Sequence, residues 1–197
     1  MTMLVLGGAS RRCAPSARER HRPHIVRPPS TDQSRVKRAT AENSLSGRLE
    51  AIWLKRAHRG KMDEVTEATV VAGKGIAGNV DRSLRRQVTI IEREVWESLM
   101  QQLDAHVSPA SRRANLMVSG IRLQETRGRT LRVGAVRLAI GGETTPCERM
   151  DEALPGLRAA MRPSWGGGVF AQVLDDGIIT VGDVVRWDDE AARAKSG

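Results

Sequence analysis

From Gly47 onward the sequence is broken into short β-type runs, and only one stretch keeps a clear helical period. Arg48–Leu54, Val65–Ala72 and Arg86–Ile91 read as the first three strands, the last rich in β-branched residues. Ala114–Val118 reads as a fourth, and Leu131–Ile140 supplies one or two more. Near the end come Val169–Leu174, Ile178–Val181 and Asp183–Trp187, with Asp175-Asp176-Gly177 placed as a hairpin turn between the first two. Against these stands one strong helix, in which Val95, Leu99 and Leu103 recur every fourth residue beside Trp96 and Met100. Pro155–Met161 suggests a second, short one with proline near its first turn. So many short strands around so little helix predict a mainly β fold, a closed or partly open β-barrel with a few peripheral helices.

This barrel domain is expected over residues 47–188. Residues 1–46 show no hydrophobic period and carry Pro23, Pro28 and Pro29, so they read as a basic, disordered extension or an organelle-type leader. Residues 189–197 read as a polar tail. The extension holds nine basic and three acidic side chains, a net +6 of the chain's +9. The folded part is therefore only mildly basic. With no Tyr, one Phe and four Trp, platforms on which bases stack are also scarce, so no specific nucleic-acid partner is expected. No apolar run approaches the roughly 18 residues of a membrane span, and no membrane association is expected. Only Cys13 and Cys147 occur, too few for a disulfide framework and without the nearby histidine pairs of a zinc site. A reducing, cytoplasmic setting follows.

Gly73-Lys74-Gly75-Ile76-Ala77-Gly78 matches a dinucleotide-binding fingerprint by spacing. That fingerprint needs a helix after the glycines, whereas only the eight residues Asn79 to Arg86 lead from Gly78 into the next strand. The dinucleotide reading fails. With Lys74, Arg82, Arg85 and Arg86 crowding the segment, the loop is either an anion-binding concavity or a plain tight turn.

The other notable loop is Gly141 to Met150, between a strand and the short helix, with Cys147 following Pro146. Arg149 supplies a positive charge, and a helical turn starting here would add its N-terminal dipole. Both favour a thiolate, the form that attacks electrophiles or binds metals. Chemistry alone leaves a working thiol and a buried structural one both open.

With Cys147 in place, the domain resembles the MOSC domain, the C-terminal module of molybdenum cofactor sulfurases, in its stand-alone bacterial form. The resemblance rests on Gly75–Arg82, Arg86–Ile91, Arg113–Ile121, Leu131–Gly134, Pro146–Met150, Pro155–Arg158 and Gly167–Asp183, in that order. It implies a barrel similar to that of pyruvate kinase. It implies that Cys147 carries sulfur as a persulfide or ligates molybdenum, as the catalytic and metal residue, with molybdenum cofactor (molybdopterin) bound. It assigns the pterin's phosphate to Arg113 and Arg149, gives Asn115 and Asp81 a shaping role, and makes Arg86 a further cofactor contact.

Two departures stand out. Asn79-Val80 intervene before Asp81, where many members have Gly-Asp directly after the turn. The chain also lacks an aminotransferase-like domain, so no pyridoxal phosphate is expected. The resemblance thus implies a protein that reduces N-hydroxylated compounds with a separate electron-transfer protein, or receives sulfur from a separate donor. The alternatives are a non-catalytic sulfur carrier or delivery module, and a structural barrel with an inert thiol.

Overall fold

The computed structural model describes residues 46–80 and 83–188. Cys13, Asp81, Arg82, the extension up to residue 45 and the tail from residue 189 lie outside the described residues.

Among the described residues, eleven strands form two sheets. The larger contains β1 (Gly47–Lys55), β2 (Met62–Val65), β5 (Val88–Glu92), β6 (Leu116–Ser119), β7 (Thr130–Val133), β8 (Val136–Glu143), β9 (Val169–Val173) and β11 (Val184–Trp187). Seven of these close into a barrel in the order β11-β7-β8-β9-β5-β6-β1, because β1 also pairs with β11. Gly47 and Arg48 pair with β11, while Ile52–Lys55 pair with β2. Along its other edge β1 pairs with β6, with a bulge between Leu49 and Ala51. All barrel pairings are antiparallel except β5–β6. The smaller sheet has the order β10-β3-β4, made by β3 (Glu67–Val71), β4 (Gly75–Ile76) and β10 (Gly177–Thr180).

Alternation along the strands divides the interior from what lies outside it. Val88 and Ile90 of β5 join the barrel core with Leu49, Leu116, Leu131, Leu138 and Val169. Ile91, pointing the other way, joins a second cluster formed with α1 (Arg93–Gln102), α2 (Arg149–Ala153) and α3 (Leu157–Ala160). There Trp96, Leu99 and Met100 meet Ala114, Met150, Leu157 and Met161. The helices therefore cap one outer face of the barrel, and the chain after β8 must cross to that face.

Two expectations are corrected. The run Val65–Ala72 is interrupted: β2 ends at Val65 and β3 starts at Glu67, so its two parts serve different sheets. The Asp175-Asp176-Gly177 turn does not join a hairpin either, since β10 pairs with β3 while β9 pairs with β5 and β8. Its acids explain why. Asp175 binds Arg137 of β8, and Asp176 accepts from the backbone N–H of Ala72, so the turn is pulled toward β3.

The glycine loop is occupied by its own backbone. The N–H groups of Gly73, Lys74, Ala77 and Asn79 donate to the carbonyls of Val173, Val71, Thr69 and Ile76. Those groups therefore face chain, and the loop serves as a turn.

Candidate functional site

Cys147 stands exposed on the crossover from β8 to the helical face. The crossover is pinned on both sides: Pro146 and Met150 are buried, and the Cys147 carbonyl accepts from Met150 N at 3.0 Å. Further back, Thr144 N donates to Gly168 O at 2.8 Å. That contact depends on two glycines. A side chain at Gly167 would collide with the Thr144 carbonyl, and one at Gly168 with the carbonyl of Ile90.

The strongest anchor of this crossover is Arg112. It lies in a 3-10 turn, Pro109–Arg112, and is only 5% exposed. Its Nε and Nη2 donate to Gly167 O at 3.0 and 2.7 Å, and Nη2 also donates to Thr144 O at 3.2 Å. Burial pulls its pKa down to about 10, helped by the nearby charge of Arg86 and opposed by that of Cys147. Arg86 stands on a turn closed by Ser83, whose Oγ accepts from Arg86 N at 2.9 Å. It is exposed by surface area, yet the surrounding chain desolvates it enough to lower its pKa, again with Cys147 opposing. Arg86, Arg112 and Cys147 thus form one electrostatic group.

Arg113 goes elsewhere. Its backbone is left-handed, with φ of 62°, and its Nη1 donates to Gly60 O at 2.7 Å. It lines a cleft of about 580 Å³ with Arg149, Arg59, Lys61 and Glu152. The two neighbouring arginines therefore serve different places, Arg112 the cysteine crossover and Arg113 the cleft. No local pattern separates Arg112 from Arg113 in the sequence, and the expectation named only Arg113. The reversal of the chain at a left-handed residue makes the division.

Asn115 is fully engaged by the fold. Its Oδ1 accepts from the N and Oγ1 of Thr89, and its Nδ2 donates to Trp53 O and to Asn79 Oδ1. Asn79 Oδ1 also accepts from Lys55 N at 2.8 Å. The network ties β1, β5 and the start of β6 to the glycine loop. Asn115 supports the site from beneath and has no donor left over.

The helical dipole expected at Cys147 is not built that way. Helix α2 has five residues, starts two positions later, and already holds Asp151 and Glu152 in its first turn. No group of three or more His, Cys, Asp or Glu side chains suited to a metal ion occurs among the described residues. A metal at Cys147 would therefore find at most one further such ligand among them.

A model of the MOSC domain matches residues 57–186. No curated protein matches the chain. Among solved structures, the YuaD protein of Bacillus subtilis is similar with a TM-score of 0.62 and 19% identity, over 71% of this chain and 94% of that one. YiiM of Geobacillus stearothermophilus gives 0.59 and 16%, over 72% and 74%. YiiM of Escherichia coli gives 0.55 and 16%, over 71% and 69%. At these identities the likeness is one of fold.

Proposed function

The chain belongs to the MOSC domain family, and on that premise we propose that it binds molybdenum cofactor, or carries its sulfur, through Cys147. The observation that carries this reading is the exposed Cys147 thiol on a pinned crossover, which the buried Arg112 clamps through the Thr144 and Gly167 carbonyls. An inert structural thiol would be expected in the core instead.

The residues fit the cofactor. A site with one protein thiolate suits a metal whose remaining ligands arrive with an organic group, and thiolate is a suitable soft donor. Arg113 and Arg149 line one cleft, where with Arg59 and Lys61 they would hold a phosphate. Glu152, on the same wall, limits the net positive charge. When bound, the cofactor supplies the redox chemistry, here the reduction of N-hydroxylated compounds with electrons from a separate protein. The chain's own residues hold and orient it: Cys147 as ligand, Arg113 and Arg149 on the phosphate, and Asn115 fixing the strands beneath.

The exposure of Cys147 also favours a second reading, sulfur carriage without turnover. The Cys147 thiolate would attack the terminal sulfur of a donor persulfide. The donor's S–S bond breaks, and the donor leaves as its thiolate.

Elemental analysis separates the readings. The cofactor reading predicts about one molybdenum per chain after expression with molybdate, lost in Cys147→Ala. The carrier reading predicts no molybdenum and instead one labile sulfur per chain, lost in the same variant. Neither metal nor labile sulfur on a thiol that also resists alkylation would leave the structural barrel.

A further inference from the structure

Arg112 is a buried cation with no acid among the described residues to neutralise it. Two of its three nitrogens are committed to the Gly167 and Thr144 carbonyls, which solvate the guanidinium without cancelling its charge. Nη1 has no hydrogen-bond partner among the described residues. No carboxylate there pairs with Arg112 or with Arg86, although other arginines of the domain do find acids. Both cations are partly desolvated and interact with the thiol, and among the described residues they have no other counter-charge. The same crossover holds another unused donor, since the Oγ1 of Thr144, only 1% exposed, has no partner in the described residues.

We propose that Arg112 and Arg86 form an anion-binding subsite beside Cys147, which seats a carboxylate, sulfonate or sulfate group of the molecule that meets the thiol. This subsite is separate from the phosphate cleft. Arg113 and Arg149 line that cleft, while Arg112 faces away from it and reaches Gly167 and Thr144. The proposal rests on Cys147 being the working residue. It adds that the partner molecule carries its negative charge next to the reacting or ligating atom. Arg112 supplies the fixed charge on a rigid turn. Arg86, on the exposed side, supplies the reachable one.

The experiment compares alkylation of Cys147 by iodoacetate and by iodoacetamide, using the full chain with Cys13→Ser, expressed without molybdate. Both reagents react with the same thiolate, so their rate ratio cancels the thiolate fraction and reports only the charge around the sulfur. The ratio should exceed that of free cysteine by roughly three- to tenfold at low salt, as expected for one or two nearby cations. It should shrink as salt approaches about 0.15 M. In Arg86→Gln it should fall most of the way to the free-cysteine value. In Arg112→Gln it should fall likewise, and if that variant does not fold, Arg86→Gln decides alone. A ratio equal to that of free cysteine, or one unchanged in Arg86→Gln, overturns the subsite.

Molybdenum content of Arg86→Gln, expressed with molybdate, supplies the remaining arm. Retained metal with a lost ratio supports a substrate subsite. Loss of both assigns the pair to the cofactor's phosphate and overturns it. A raised ratio in a protein that holds neither molybdenum nor labile sulfur keeps the subsite and sinks the proposed function, so the two failures are distinguishable.

Discussion

The wall made by β7, β8 and β11 and the rim that carries Cys147 both depend on arginine and use it in opposite ways. On the wall, Arg137 grips Asp175 through Nε and Nη2 at 2.9 and 2.8 Å, and Arg132 meets Asp188 at 2.9 Å. Arg129 lies over the Trp187 ring, 4.0 Å from its centroid. At the rim, Arg86, Arg112 and Arg149 have no acid in ion-pair contact among the described residues. Arginine that finds its partner inside the chain fixes strand ends. Arginine that is desolvated and left without one is poised for an anion from outside.

The barrel behind both regions should dominate stability. Leu138→Ala, at a site 1% exposed on the wall, should cost about 2–5 kcal/mol in denaturant titration. Next comes the polar support under the rim. Asn115→Ala strands Thr89, Trp53 and Asn79 partners in a buried network and should cost about 2–3 kcal/mol. If it costs nothing, Asn115 is not the strut described and is free to face a ligand.

The wall's ion pairs come third. Asp175→Asn should lower stability by only about 0.5 kcal/mol at neutral pH, because the pair is half exposed. The sign of its pH dependence is fixed by geometry. The Arg137 hydrogen bond, ahead of smaller contributions, holds the Asp175 carboxyl below its ordinary value. Its contribution is present above the ordinary carboxylate pKa and is lost as pH falls through the depressed one. Wild type and Asp175→Asn should therefore converge in acid, which melting curves from pH 7 to pH 3 would show. Smallest is Cys147→Ala, an exposed site where stability should change by less than about 0.5 kcal/mol while bound molybdenum or labile sulfur disappears. A large stability loss there would make Cys147 a structural residue and erase the contrast between wall and rim.

Much of this molecule was legible along the chain. The β-branched run ending at Ile91 gave β5, and the four-residue spacing from Val95 gave α1, because local alternation and period reflect which side is buried. The turn at Asp175 was legible as a turn but not in its partners, since both acids bind residues distant in sequence, Arg137 and Ala72. The prominence of Cys147 was legible through the motifs around it, and its exposure agrees with its place between a strand and a helix.

Local patterns along the chain settle the class of fold, the place of the one strong helix and the loop that bears Cys147. Those depend on periodicity and turn chemistry, which act between near neighbours. It takes the folded chain to fix that β1 closes the barrel on β11, that β10 leaves β9 for β3, and that Arg112 clamps the cysteine crossover while Arg113 turns to the cleft. Each of these is settled by contacts between residues dozens of positions apart. The free energy that selects them, from strand pairing, core burial and the solvation of a buried guanidinium, does not exist until the chain has closed on itself.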